Sequence, residues 1–126
     1  MVFNYTAATD LERNEQIALR LGWICKPQGA YKEWFTPRGE SWTGQINCNY
    51  PKPLPNWTTN NGLAFAELWP KIVEVRPEAS LYLKRDQKDA PTVYTTQYMV
   101  TGKSWAEAIC RAFIELVPLP EEVGES

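Results

Sequence analysis

The sequence predicts an α+β domain in which an antiparallel β-sheet of about four to five strands is flanked by three helices. Three observations carry this prediction. Residues 104–117 combine a helix cap with a full apolar stripe at helical spacing. Residues 80–85 and 92–100 are rich in β-branched and aromatic side chains and enclose a charged loop. A second pair of short apolar runs, 23–26 and 31–36, encloses a Pro-Gln-Gly turn. Strands grouped as hairpins between helices are the pattern of α+β domains with antiparallel sheets. At 126 residues the chain suits one domain, assigned here to residues 1–117, followed by an acidic, Pro-bearing tail over 118–126.

The elements follow in the order α-β-β(-β)-α-β-β-α. In the first helix Thr9 or Asp10 is the cap, and Leu11, Asn14, Ile17, Ala18 and Leu21 share one face. Gly22 stands where a left-handed residue ends a helix. The strand at 23–26 returns as 31–36, which alternates Tyr31, Glu33 and Phe35 with Lys32 and Trp34. Pro37–Glu40 is a second turn. Residues 45–50 read as an optional third strand, and Pro51, Pro53 and Pro55 then form an extended connector. Thr58, Thr59 or Asn60 caps a second helix over 63–69, which Pro70 ends or kinks; 71–75 is compatible with helix or with another conformation. In the last helix Ser104 and Glu107 form a capping box. Trp105, Ala108, Ile109, Ala112, Phe113 and Leu116 make its buried stripe.

Composition excludes several function classes. The net charge of −2 gives no basic footprint for general nucleic-acid binding. No apolar stretch approaches the roughly 20 residues of a membrane span, and the N-terminus does not read as a secretory signal. Cys25, Cys48 and Cys110 are odd in number and widely spaced, the usage of a reducing cytoplasm, and they lack the spacing of a zinc site. The chain has no histidine, which removes Ser-His-Asp and Cys-His nucleophilic chemistry and every imidazole metal ligand. Thr101-Gly102-Lys103-Ser104 matches the end of a phosphate-binding loop but lacks its upstream glycine. The carboxylates are scattered, with no paired cluster for metal or acid–base work. No cofactor or metal is expected, and the chain reads as a non-enzyme. Cys110, inside the last helix, reads as a small buried hydrophobe.

Six Trp among 126 residues must plug a core or form a recognition surface. Lys32, Trp34 and Arg38 stand close in sequence beside Trp42, while Lys84 and Arg85 end a strand. Rings beside cations suit a nucleotide, with the base stacked and the phosphate held by charge. The competing reading packs the rings between sheet and helices and leaves the cations in solvent. Trp42 and Trp57 flank Pro- and Gly-rich loops and complete the candidate ligand-binding set.

Leu-Gly-Trp at 21–23, Pro-Asn-Trp-Thr-Thr at 55–59 and Ala-Glu-Ala-Ile-Cys-Arg-Ala at 106–112 together resemble the phage ABA sandwich domain family. The resemblance spans residues 10–117, and the C-terminal segment is its most specific part. It implies a sheet flanked by helices and a phage or prophage origin, and it carries over no catalytic residue. Pro70 and the long connector at 51–55 depart from the pattern of a continuous middle. The expected function is that of a non-catalytic accessory protein in the host cytoplasm. It would be a counter-defence factor that sequesters a host nucleotide signal or occludes a host protein. The alternative is a protein–protein adaptor or assembly module in phage regulation or morphogenesis. Either form is expected to be a homo-oligomer, since an exposed sheet edge can pair with another.

Overall fold

The computed structural model describes residues 3–28, 31–42, 53–84 and 90–120. The chain is α+β, with three helices and five strands among those residues. The strands divide into two antiparallel sheets, β1-β2 and β3-β4-β5, where the sequence predicts one. The optional strand at 45–50 lies outside the described residues.

Helix α1 is Asp10–Arg20. Thr9 is its cap: the hydroxyl accepts from the Glu12 amide at 3.1 Å, and the Glu12 carboxylate accepts from the Thr9 amide at 2.9 Å. The other end closes as a Schellman motif. Gly22, at φ 99°, lets its own amide reach the Leu19 carbonyl at 3.2 Å, and the Trp23 amide reaches that of Ala18 at 2.9 Å. Asn14, Ile17 and Ala18 are buried, but Leu11 is 62% exposed and so is not part of the buried face.

Strand β1 is Ile24–Gln28 and strand β2 is Tyr31–Phe35, paired one to one from Ile24 with Phe35 to Gln28 with Tyr31. The first strand runs through Pro27, which the sequence places in a turn; an edge strand tolerates a residue with no amide proton on its free side. After β2, Thr36–Glu40 closes a turn in which Gly39 takes φ 90° and donates to the Thr36 carbonyl at 2.8 Å. The chain then returns beside β2, with the Trp42 amide donating to the Trp34 carbonyl at 2.8 Å.

Helix α2 runs over residues 61–75 and is continuous past Pro70. It comprises an α turn at Asn61–Leu63, a π-helical stretch at Ala64–Leu68 and an α segment at Trp69–Val75. Asn60 is the cap, its side chain accepting from the Leu63 amide at 3.0 Å. A proline inside an α-helix removes one hydrogen bond and presses on the carbonyl four residues back. The wider π turn just before Pro70 relieves that register, so the helix does not end at Pro70 but continues through 71–75, which the sequence leaves open.

Strands β3 (Ser80–Lys84), β4 (Ala90–Thr95) and β5 (Tyr98–Thr101) form the second sheet. The run at 92–100, read from sequence as one strand, is two strands joined by a two-residue turn, because Thr95 pairs with Tyr98. Val93 and Val100 are buried on one face. Tyr82, Tyr94 and Met99 are at least 40% exposed, with Tyr82 packed edge-on to Tyr94 at 6.3 Å.

Helix α3 (Trp105–Leu116) is the centre of the molecule. It touches α1, α2, β4 and β5. Its buried surface exceeds the predicted stripe: Ala106, Cys110 and Ile114 are buried in addition, while Trp105 and Leu116 are half-buried. Ser104 accepts from the Glu107 amide at 3.1 Å as expected, but the Glu107 carboxylate takes the Lys103 amide and not that of Ser104. A further amide of the first turn, that of Ala106, donates to the Asn61 side chain at 2.8 Å, tying α3 to the start of α2. No helix among the described residues is long and apolar enough to cross a membrane.

Candidate functional site

The aromatic residues singled out in sequence are largely structural in placement. Trp57 is fully buried. Its indole Nε1 donates to the Glu67 carboxylate at 2.8 Å, and its carbonyl accepts from the Cys110 thiol at 3.3 Å. Trp34 is 4% exposed. Trp42 is half-buried, edge-on to Trp23 at 5.3 Å, and donates from Nε1 to the Pro53 carbonyl at 2.8 Å. Trp23 also meets Trp57 at 6.0 Å, so three of the six Trp form one contiguous wedge between α1 and the loop before α2. Such edge-to-face pairs are worth about 0.5–1.5 kcal/mol each beyond their burial.

Lys32 is exposed and pairs with Glu15 of α1 at 3.2 Å. Arg38 is exposed in the turn after β2. Lys84 ends β3 on the other sheet, and Arg85 lies outside the described residues. The structure therefore brings Trp42 and Trp57 together through Trp23.

Rings and cations meet elsewhere, where the N-terminal segment crosses α3. Asn4 accepts from the Ala7 amide at 3.2 Å, and the Ala8 amide donates to the Tyr5 carbonyl at 3.2 Å, so residues 4–8 are a turn held by its own polar groups. Arg13 fixes that turn to α1: its Nε donates to the Tyr5 carbonyl at 2.9 Å, and its guanidinium stands 4.3 Å from the Tyr5 ring. Arg111 approaches the same ring at 5.6 Å from α3. Tyr5 is 6% exposed, and its hydroxyl has no partner among the described residues. Burial, then the nearby Cys110, hold that phenol well above its ordinary range, and Arg13 opposes them only in part.

Beside this ring lies a cleft of about 390 Å³. Phe3, Asn4, Tyr5 and Thr6 form one wall, and Tyr98, Arg111 and Glu115 form the other. Burial and the Glu115 carboxylate push the Tyr98 phenol up to about 12, against Arg111, so it remains a neutral donor near pH 7. The cleft thus offers aromatic surface, one permanent cation, one hydroxyl donor and one carboxylate acceptor. Among the described residues Arg111 makes no ion pair. A second cleft behind the same segment is lined by Glu12 and Glu15, but both carboxylates are already engaged, by the Thr9 amide and by Lys32.

Sequence reasoning missed Tyr5, Tyr98 and Arg111. One signal was available for Arg111. Glu107, Arg111 and Glu115 recur every four residues and mark the polar face of a helix that is otherwise almost wholly buried. In comparisons with family models, with curated proteins and with solved structures, nothing matches this chain.

Proposed function

We propose that the protein is a non-catalytic binding protein of phage or prophage origin. In this reading it acts in the host cytoplasm as a counter-defence factor, and its ligand is a nucleotide-type small molecule. The observation that carries the reading is the cleft between the N-terminal segment and α3, where the half-buried Tyr98 and the Phe3 ring stand beside Arg111. A nucleotide asks for a flat apolar contact on its base and a fixed charge on its phosphate. Glu115 would accept from an exocyclic amine or a ribose hydroxyl. The volume falls at the small end of ligand clefts, which suits a mononucleotide or half of a dinucleotide. The lack of histidine supports holding without turnover. Origin and setting rest on the resemblance to the phage ABA sandwich domain family, which also implies one sheet flanked by helices, a finer architecture than the two described sheets.

The test is a native mass spectrum of freshly purified full-length protein, followed by incubation with linear and cyclic nucleotides. The proposal expects an adduct of nucleotide mass that is released chemically unchanged. Bare protein after every incubation, or a nucleotide returned as product, would remove it. The adaptor reading is favoured by a separate observation, that among the described residues β3 stands at the edge of its sheet, and it predicts a stoichiometric host protein in a pull-down in place of a small molecule.

A further inference from the structure

The N-terminal segment, residues 3–8, is closed from within, by the Asn4 side chain on the Ala7 amide and the Tyr5 carbonyl on the Ala8 amide. Two of its side chains reach into the molecule: Tyr5 is buried, and the half-buried Phe3 packs against the core. Among the described residues, the hydrogen bonds that join this segment to the rest of the chain all come from Arg13. Its Nε donates to the Tyr5 carbonyl at 2.9 Å and its Nη2 to the Thr6 carbonyl at 3.4 Å, while its Nη1 is braced by Asp10 at 3.2 Å. The guanidinium also stands over the Tyr5 ring, 4.3 Å from its centroid. One side chain therefore grips the segment at two carbonyls and at a ring face. Hydrogen bonds from a charged donor are stronger than neutral ones, and the ring face adds its own attraction for the cation.

The seated segment also carries a cost. The Tyr5 hydroxyl is buried and has no partner among the described residues. Water would satisfy it once the segment lifted away, and a buried donor left unpaired favours the state in which it is solvated. Arg13 and this hydroxyl thus act in opposite directions on the same segment. That segment is one wall of the cleft, facing Tyr98, Arg111 and Glu115. We propose that residues 3–8 are a clasp: they lift from α3 as a unit while the helices stay folded, Arg13 holds them seated, and the cleft is complete only while they are seated. Arg13 is not among the residues that line the cleft, so its influence on a ligand passes through the wall it holds. That influence rests on the binding reading above, under which the seated fraction scales the apparent affinity for a nucleotide. The clasp itself does not rest on it.

Native-state hydrogen exchange on the full chain reads the clasp without a ligand. Local opening exposes little surface, so exchange at the Ala7 and Ala8 amides is expected to be insensitive to low concentrations of urea. The Ala112 and Phe113 amides in the middle of α3 are expected to speed up with urea, as whole-molecule unfolding does. Arg13→Gln is expected to quicken Ala7 and Ala8 together by about tenfold, the scale of one lost charge-assisted contact, and to leave them insensitive to urea. Tyr5→Phe keeps the ring and removes the unpaired hydroxyl, so it is expected to slow both amides by about fivefold or more. Ala7 and Ala8 following urea in step with α3 would mean that the segment leaves only when the molecule unfolds, and would overturn the clasp. So would exchange that Arg13→Gln leaves unchanged or that Tyr5→Phe fails to slow. No nucleotide enters this measurement. Its failure removes the clasp and leaves the binding reading of the cleft standing, whereas bare protein after every nucleotide incubation removes that reading and leaves the clasp.

Discussion

At Gly102 the chain leaves β5 and enters α3 with no room for a side chain. A Cβ there would lie 2.6 Å from the Ala108 amide nitrogen and 3.0 Å from the Glu107 Cβ. The glycine that made Thr101–Ser104 resemble a phosphate loop is therefore needed for close packing of strand end on helix start. Gly102→Ala is expected to lower stability by about 1–3 kcal/mol, the usual cost of forcing atoms into a filled site, as measured by urea unfolding. The buried thiol and phenols make a second prediction at this scale. Cys110, Tyr5 and Tyr98 all ionise above their ordinary values of 9.0, 10.0 and 10.0 in the folded chain, chiefly through burial. Above those ordinary values the unfolded chain loses protons that the folded chain keeps. Stability is then fully present below about pH 9 and falls as pH rises, by up to about 1.4 kcal/mol per pH unit for each such group. The urea midpoint is expected to drop between pH 9 and 11, and Tyr5→Phe to drop less steeply. A flat alkaline profile would contradict the burial of these groups.

Among the elements, α3 was the most legible in sequence and α2 the least. The Ser104 cap and the stripe from Trp105 to Leu116 are local signals, readable from spacing alone. Ala106, Cys110 and Ile114 are buried by a second set of neighbours, and no single-helix period shows how many sides a helix will have covered. Ser104→Ala is expected to cost about 1 kcal/mol, with faster amide exchange at Glu107 than in the wild type. A stability unchanged by this substitution would mean that the Asn61 contact to Ala106 suffices to hold the helix start. In α2, Pro70 is a local stop signal that tertiary packing overrides: Leu68 and Ile72, on either side of it, are both fully buried. The π turn reconciles the two demands, and it has no sequence signature. The split of 92–100 into β4 and β5 was also missed. Thr96-Gln97 lacks the glycine or asparagine that marks most two-residue hairpins.

For the molecule as a whole, the α+β class followed from the order of local elements, but the division into two sheets did not. Which hairpins join is a long-range matter. Trp23, Trp42 and Trp57, from three separate segments, likewise meet in one aromatic cluster only in the folded chain. The candidate site was legible as a kind of chemistry and not as a place. Aromatic rings beside arginine were expected around Trp34 and Trp42, and they occur instead around Tyr5 and Arg111, which stand 106 positions apart in sequence. Only the fold brings such residues together. The most direct test of the binding reading is calorimetric titration of the full-length chain and its Arg111→Gln variant with a panel of linear and cyclic nucleotides. The account predicts one ligand per cleft for the wild type, recovered unchanged, and affinity at least tenfold weaker in the variant, the scale of one lost charge-assisted contact. No heat from any nucleotide, or equal affinity in both proteins, would contradict it.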